Sequence, residues 1–268
     1  MIKANYHTHT TRCHHAQGTD ESYVEAAIRA GYDVLGFSDH TPWPFRSGYV
    51  SRIRMLPDDL RGYIDSVHLL QKQYEGRLTI HLGLEAEYFP RYADWMKRMQ
   101  DAGISYFILG QHWPDSEEET VYSGRLGQED DGALVYAESV VRALETGLYS
   151  YLCHPDLFLR HRRDDQFSPA CEEATAMICQ CAVRLGIPLE YNLLGLLEQM
   201  SGKECGYPST AFWKEARKYD PQVIIGVDAH DPAHLLNTDT MNHARAFLSG
   251  LGFRVLDRLP MDADCKEE

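Results

Sequence analysis

Val34-Leu35-Gly36-Phe37-Ser38-Asp39-His40 is an apolar run that ends in two metal-competent side chains, and the arrangement recurs along the chain. Before it, the run 2–6 leads into His7 and His9, with His15 further along the same loop. After it, 78–84 leads into Glu85, 104–109 into His112, and 149–153 into His154-Pro155-Asp156. The run 188–191 leads into Asn192, and 223–227 into Asp228 and His230. Six of these seven β-rich runs therefore deliver a potential metal ligand just past their C-terminal end.

Between the runs lie amphipathic segments. Asp20 is a candidate N-cap for a helix that carries Tyr23, Ala26, Ala27 and Ala30 on one face and stops at Gly31. Helices are also predicted over 58–74, 92–102, 133–145, 169–185 (opened by Ser168-Pro169), 210–218 and 232–251. Strands alternating with helices imply a parallel sheet. Seven such units can form an open, doubly wound sheet or a closed barrel. An open sheet would spread the strand ends along a line at roughly 4.8 Å per strand. Only closure gathers all of them on one face, as at the C-terminal end of a (βα) barrel. The expectation is an α/β chain folded as a distorted, seven-stranded (βα)7 barrel, TIM-barrel-like, in a single domain over 1–268.

The 268 residues carry 26 basic and 40 acidic side chains, a net charge of −14. That excludes a broad basic surface for nucleic acid, while leaving room for a local anion site. Seven cysteines are present without a C-x-x-C pair, and no apolar run reaches membrane-spanning length. No signal peptide is visible, and the setting expected is a reducing cytoplasm with no membrane partner.

The residue types at the strand ends define a chemistry. Neutral imidazole suits Zn, Fe and similar ions, and carboxylates can bridge two ions. His7-x-His9 on an extended segment turns both rings to one side. Seven histidines and two carboxylates exceed what one ion can bind and suit two or three. Of the other histidines, His68 and His81 lie inside a helix and a strand and read as structural. His14 neighbours His15, and His161 and His234 lie in loops on the same face.

The motifs His7-Thr8-His9-Thr10, Cys13-His14-His15, Ser38-Asp39-His40, Gly83-Leu84-Glu85, Gly110-Gln111-His112, Cys153-His154-Pro155 and Gly226-Val227-Asp228-Ala229-His230 resemble, in order, those of the polymerase and histidinol phosphatase (PHP) family. The resemblance implies a distorted seven-stranded barrel with three divalent ions (Zn, Mn or Fe). It assigns one ion to His7, His9, Glu85 and Asp228. A second falls to bridging Glu85, His112 and His154, and a third to His15, His40 and His230. His15 is preferred to His14 because it stands six residues past His9, as in the family motif. Cys13 with His15, Tyr207-Pro208 and Asp228-Ala229-His230-Asp231-Pro232 resemble the histidinol-phosphatase branch. One departure stands out. A basic residue is expected after a Gly-Leu pair past the sixth strand, and this chain has Gly195-Leu196-Leu197, with Lys203 as a candidate substitute.

The implied activity is hydrolysis of a small phosphomonoester, L-histidinol phosphate first, with Glu85, Asp228, His230 and Asp39 as catalytic residues. Ions about 3.5–4 Å apart would activate water and offset phosphate charge. Asp39, Asp156 and His230 are alternative proton donors to the leaving group. Arg160, in the loop past His154, is a candidate for holding phosphate through its guanidinium. The acidic run 115–119 is either an attractor for a cationic amine or a surface loop. A nuclease or nucleotide phosphatase on the same scaffold would share every ligand, and the net charge speaks against a nuclease. An amidohydrolase-type barrel usually relies on a lysine bridge where this chain has Glu85.

Overall fold

The fold is described by a computed structural model covering residues 3–262; Ile2, which opens the first predicted strand, lies outside the described residues. Its strands are all parallel and lie in two sheets. One sheet runs β1 (Ala4–Asn5), β2 (Val34–His40), β3 (Thr79–Ala86), β4 (Tyr106–Leu109) in that order. The other runs β5 (Leu189–Asn192), β6 (Val223–Gly226), β7 (Val255–Leu256). Single bridges connect them: Leu152 pairs with Leu109 on one side and Leu189 on the other, and Thr8 pairs with Ala229 across the remaining gap. The sheets thus curl around a common axis.

This differs from a regular seven-stranded barrel. The segment 149–153 bonds to both neighbours, with Leu109 N–H donating to Tyr151 O at 2.9 Å and Leu152 N–H to Pro188 O at 3.0 Å. It forms isolated bridges rather than a ladder, because His154 turns into left-handed backbone at φ 31° and Pro155 has no N–H to give. The seventh regular strand is instead β7, which the sequence patterning did not reveal. It pairs with the first residues of β6, at Val223 and Ile224.

The connections are helical. They are α1 (Asp20–Arg29), α2 (Leu60–Gln73), α3 (Ala93–Asp101), α4 (Ser123–Leu126), α5 (Asp130–Leu144), α6 (Pro169–Leu185), α7 (Leu193–Met200), α8 (Thr210–Ala216), α9 (Pro232–Leu235) and α10 (Thr238–Gly250). The cap of α1 is Thr19, one residue before the expected Asp20; its hydroxyl accepts from Ser22 N–H. Ser168 caps α6 as predicted, with Pro169 at the first position. The stretch 232–251 is broken into α9 and α10, the second capped by the Asn237 side chain. No helix among the described residues is long and apolar enough to cross a membrane.

Two apolar clusters hold this together. The larger lies between strands and helices and includes Tyr23, Phe37, Leu84, Phe107, Ile178 and Trp213. The smaller fills the axis with Tyr6, Val34, Tyr106, Ile108, Tyr151, Cys153, Ile224 and Leu259. Tyr106 lies across β2 and β3, where a Cβ at Gly36 or Gly83 would come within 2.1 or 2.3 Å of its side chain. Its hydroxyl lies 2.9 Å from Tyr6 O and 3.0 Å from Phe37 O, so the polar end of the ring is satisfied inside the plug.

Candidate metal centre

The curl brings the strand ends onto one face. Asp39 and His40 close β2 in register with Leu84 and Glu85 of β3. His7 and His9 extend past β1, two apart, so alternation turns both rings inward. Asp228 follows β6 and His154 follows the bridging segment. Both adopt left-handed backbone, at φ 53° and 31°. For residues other than glycine such conformations cost about 1–3 kcal/mol each and gather at functional sites. The turn they make is what points each side chain back over the axis.

Four atoms meet at the base of the site: His7 Nε2, His9 Nε2, Glu85 Oε2 and Asp228 Oδ1. All are buried and none has a hydrogen-bond partner. His7 Nε2 lies 3.6 Å from Glu85 and 3.4 Å from Asp228; His9 Nε2 lies 3.5 Å and 3.2 Å from the same oxygens. Ligands held tetrahedrally at 2.0–2.1 Å from one ion are separated by about 3.4 Å. The set is spaced as ligands of a cation are.

Around this set, Glu85 Oε1 faces His154 Nε2 at 2.9 Å and His112 Nε2 at 3.4 Å, and Glu85 Oε2 faces His40 Nδ1 at 3.0 Å. The outer pair gives an independent sign. His15 Nδ1 is 2.7 Å from Cys13 O and His230 Nδ1 is 3.1 Å from Asp228 O. Carbonyl oxygens only accept, so both rings donate through Nδ1 and leave Nε2 bare. Those two bare nitrogens face each other at 3.0 Å. Lone pairs so placed call for a cation between them. His14, by contrast, caps a short 3-10 turn with left-handed backbone and is exposed.

The electrostatics agree. Burial opposes charge on Glu85, but His112, His40 and His7 around it hold the carboxyl well below its usual range. Burial likewise opposes charge on Asp228, and His7 and His230 outweigh it. His15 is pushed down to about 4, first by burial and then by His230 and His9 beside it, which keeps it a neutral imidazole. Burial works against charge on His7, yet Asp228, Glu190 and Glu85 raise it to about 10. The site holds its anions ready for positive charge.

Several supporting groups carried no spacing signal. Glu190, inside β5, meets His7 Nδ1 at 2.8 Å, and the Asn192 amide donates to it at 2.8 Å and reaches Asp228 Oδ2 at 3.1 Å. Glu87 meets His112 Nδ1 at 3.1 Å. Arg54 binds Glu87 at 2.9 and 3.2 Å and Glu117 at 2.8 Å, with all three side chains buried. Carboxylates of this kind fix the tautomer and aim of a metal-ligating imidazole. The signal that was available was polarity in the wrong place: Glu190 and Asn192 lie two apart on a strand otherwise apolar, hence on one face.

The cluster forms one wall of a cavity of about 480 Å³. His15, His40, Glu85, His112, His154, Asp228 and His230 line it, together with Trp113, Tyr122, Tyr207, Arg160, Glu198 and the apolar Ile53, Leu157 and Leu194. His7 and His9 lie beneath, fully buried. Arg160 is half-buried, bonded to Tyr207 Oη at 3.0 Å and Glu198 at 3.2 Å. Asp39 and Asp156 are not on the lining. Asp39 is buried behind His9, 3.5 Å from Nδ1, and accepts from both Thr10 N–H and the Thr10 hydroxyl. Asp156 accepts from Ser209 N–H at 2.7 Å, and burial raises its carboxyl to about 7. Lys203 stands on the exposed side of Glu198, 3.7 Å away, and lines a neighbouring groove with His161. His234 accepts from His230 N–H rather than reaching the cavity. In the acidic run, Asp115 pairs with Arg142, Glu117 with Arg54 and Glu119 with Arg91, while Glu118 accepts from the Ser47 and Tyr92 hydroxyls.

The PHP domain family matches residues 5–193 of the chain, a stretch that ends before Asp228 and His230. The "Probable histidinol-phosphatase" of Deinococcus radiodurans is 27% identical over 236 residues, 85% of this chain and 86% of that protein. The histidinol-phosphatase of Bacillus subtilis is 24% identical over 255 residues, 86% and 94% respectively. Among solved structures, histidinol phosphate phosphatase of Lactococcus lactis, complexed with Zn, L-histidinol and phosphate, superposes with a TM-score of 0.70. It shares 16% identity and covers 95% of each chain, a likeness of fold.

Proposed function

This chain belongs to the PHP domain family, and on that premise we propose that it is a metal-dependent histidinol-phosphate phosphatase, acting as a single domain in a reducing, cytoplasmic setting. The observation that carries the reading is the quartet of unpartnered atoms from His7, His9, Glu85 and Asp228 under a cavity bordered by an arginine. The quartet would hold one divalent ion. Glu85 with His112 and His154 would hold a second, and His15, His40 and His230 a third. Bound ions supply Lewis-acid charge and make a water nucleophilic near neutral pH.

The chain's own residues do the rest. Glu85 presents its two oxygens to different histidines, so it ties the ligand groups together. Asp39 and Glu190 hold His9 and His7 in aim from behind, and Glu87 does so for His112. Arg160, aimed by Tyr207, offers its guanidinium to a phosphate at the mouth. Of the three acids considered for the leaving group, His230 alone lines the cavity, but its Nδ1 proton is held by Asp228 O and its bare Nε2 faces His15, which suits it to ligate the third ion rather than to donate a proton. The relatives that cover most of this chain bear the histidinol-phosphatase name, which makes L-histidinol phosphate the first substrate to offer.

The test compares kcat/KM for L-histidinol phosphate, a nucleoside monophosphate and a single-stranded oligonucleotide, with metal content measured on the same sample. L-histidinol phosphate should lead, on protein that carries more than one equivalent of metal after loading with Zn, Mn or Fe. A tenfold lead for the nucleotide or oligonucleotide would overturn the substrate. At most one equivalent of metal would overturn the multinuclear site.

A further inference from the structure

We propose that Glu198 reads a cationic amine adjacent to the substrate's phosphate, so that the cavity selects vicinal amino-alcohol phosphomonoesters over bare phosphate esters. The inference rests on the phosphatase reading and deepens it.

Three carboxylates line the cavity among the described residues: Glu85, Asp228 and Glu198. The first two are enclosed by histidines. Glu198 stands apart from them on α7, 3.2 Å from Arg160. For a substrate that carries phosphate alone this placement is adverse. The carboxylate repels the dianion and competes for the guanidinium that would bind it. It becomes favourable when positive charge travels close to the phosphate. In L-histidinol phosphate the ammonium stands on the carbon next to the phosphate-bearing CH2. Its reader must therefore sit beside the phosphate's cationic partner, as Glu198 sits beside Arg160.

Two further features fit. Trp113 and Tyr122 pack with ring centroids 5.6 Å apart, and Tyr207 lies beside His154 on the same cavity. Aromatic faces of this kind suit a planar imidazole and stabilise cations. The residue before Glu198 is Leu197, where a second basic residue was expected, and Lys203 is displaced to the exposed side. On the cavity side Glu198 therefore stands beside Arg160, with Lys203 3.7 Å away on the exposed side, and the lining presents an arginine and a glutamate together to a zwitterion.

If Glu198 only held Arg160 in place, its loss would damage all phosphate esters alike. The experiment measures kcat/KM of the metal-loaded protein and of Glu198→Gln on L-histidinol phosphate and on its des-amino analogue, which keeps the imidazole and the phosphate. Glutamine keeps the shape and can still accept from Arg160, so only the charge is removed. We expect the wild type to prefer the amine by about tenfold or more, and Glu198→Gln to compress that ratio by about tenfold, chiefly through KM of the amine substrate. A parallel loss on both substrates, or an unchanged ratio, overturns the assignment. Wild-type protein that hydrolyses both equally well overturns it too and leaves the phosphatase reading standing. Wild-type protein that hydrolyses neither removes that reading, and this inference with it.

Discussion

Glu87 behind His112 and Glu190 behind His7 do the same local task with opposite support. Each accepts from an imidazole Nδ1 and turns the ring's Nε2 toward Glu85. Glu87 has a resident counter-ion, since buried Arg54 grips it with two nitrogens and is itself gripped by Glu117. Burial opposes its charge, but Arg54 and His112 hold it well below the carboxylate range. Glu190 has His7 as its ion-pair partner, and its other contacts include the Asn192 amide and the His154 backbone N–H. One half of the site is thus neutralised by the fold, and the other by whatever positive charge the site holds.

The comparison fails first where the halves meet. Glu85 faces histidines of both, so Glu85→Gln removes the shared charge. Turnover should drop below a tenth of wild type, about 1.4 kcal/mol or more of barrier, with far-UV circular dichroism unchanged. A variant above that level takes Glu85 out of the bridging role.

The two supporting carboxylates should then separate by readout. Glu87→Gln leaves Arg54 buried with one carboxylate, Glu117, besides the Thr41 carbonyl, so the loss should fall on folding, up to about 3–5 kcal/mol in a urea titration. Glu190→Gln removes one of the three carboxylates around His7 and leaves Asp228 and Glu85 beside that ring. Its loss should fall on metal affinity, about 10–100-fold in a chelator competition, with the urea midpoint nearly kept. Equal losses in both assays would erase the distinction.

The smallest effect belongs to the rim. Arg160→Ala should lower kcat/KM for phosphate esters by about tenfold and leave metal content intact. Unchanged kinetics would make the arginine a surface group paired with Glu198.

What the sequence made legible follows from this contrast. Groups at strand ends are displayed by the backbone itself, so a chain read in order gives His7, His40, Glu85, His154 and Asp228 together. Supporting groups are defined by what lies behind them in space. Arg54, Glu87 and Glu117 come from separate segments, and nothing in their spacing joins them. The helix α7 was missed for a related reason. Its apolar run Leu193-Leu194-Gly195-Leu196-Leu197 follows β5 at once, and only the Asn192 side chain, accepting from Gly195 N–H, marks the boundary. The strand β7 has two residues, too few for an alternation to register.

Below the site the axis of the fold is filled, and Tyr106 occupies the room that two glycines leave. Among the described residues the axis thus offers no passage through the molecule, and what enters from the strand-end face leaves by that face. On the proposed reading, phosphate released at the base would pass Arg160, the same group that would receive the next substrate. Until it has gone, the next phosphate has nowhere to dock.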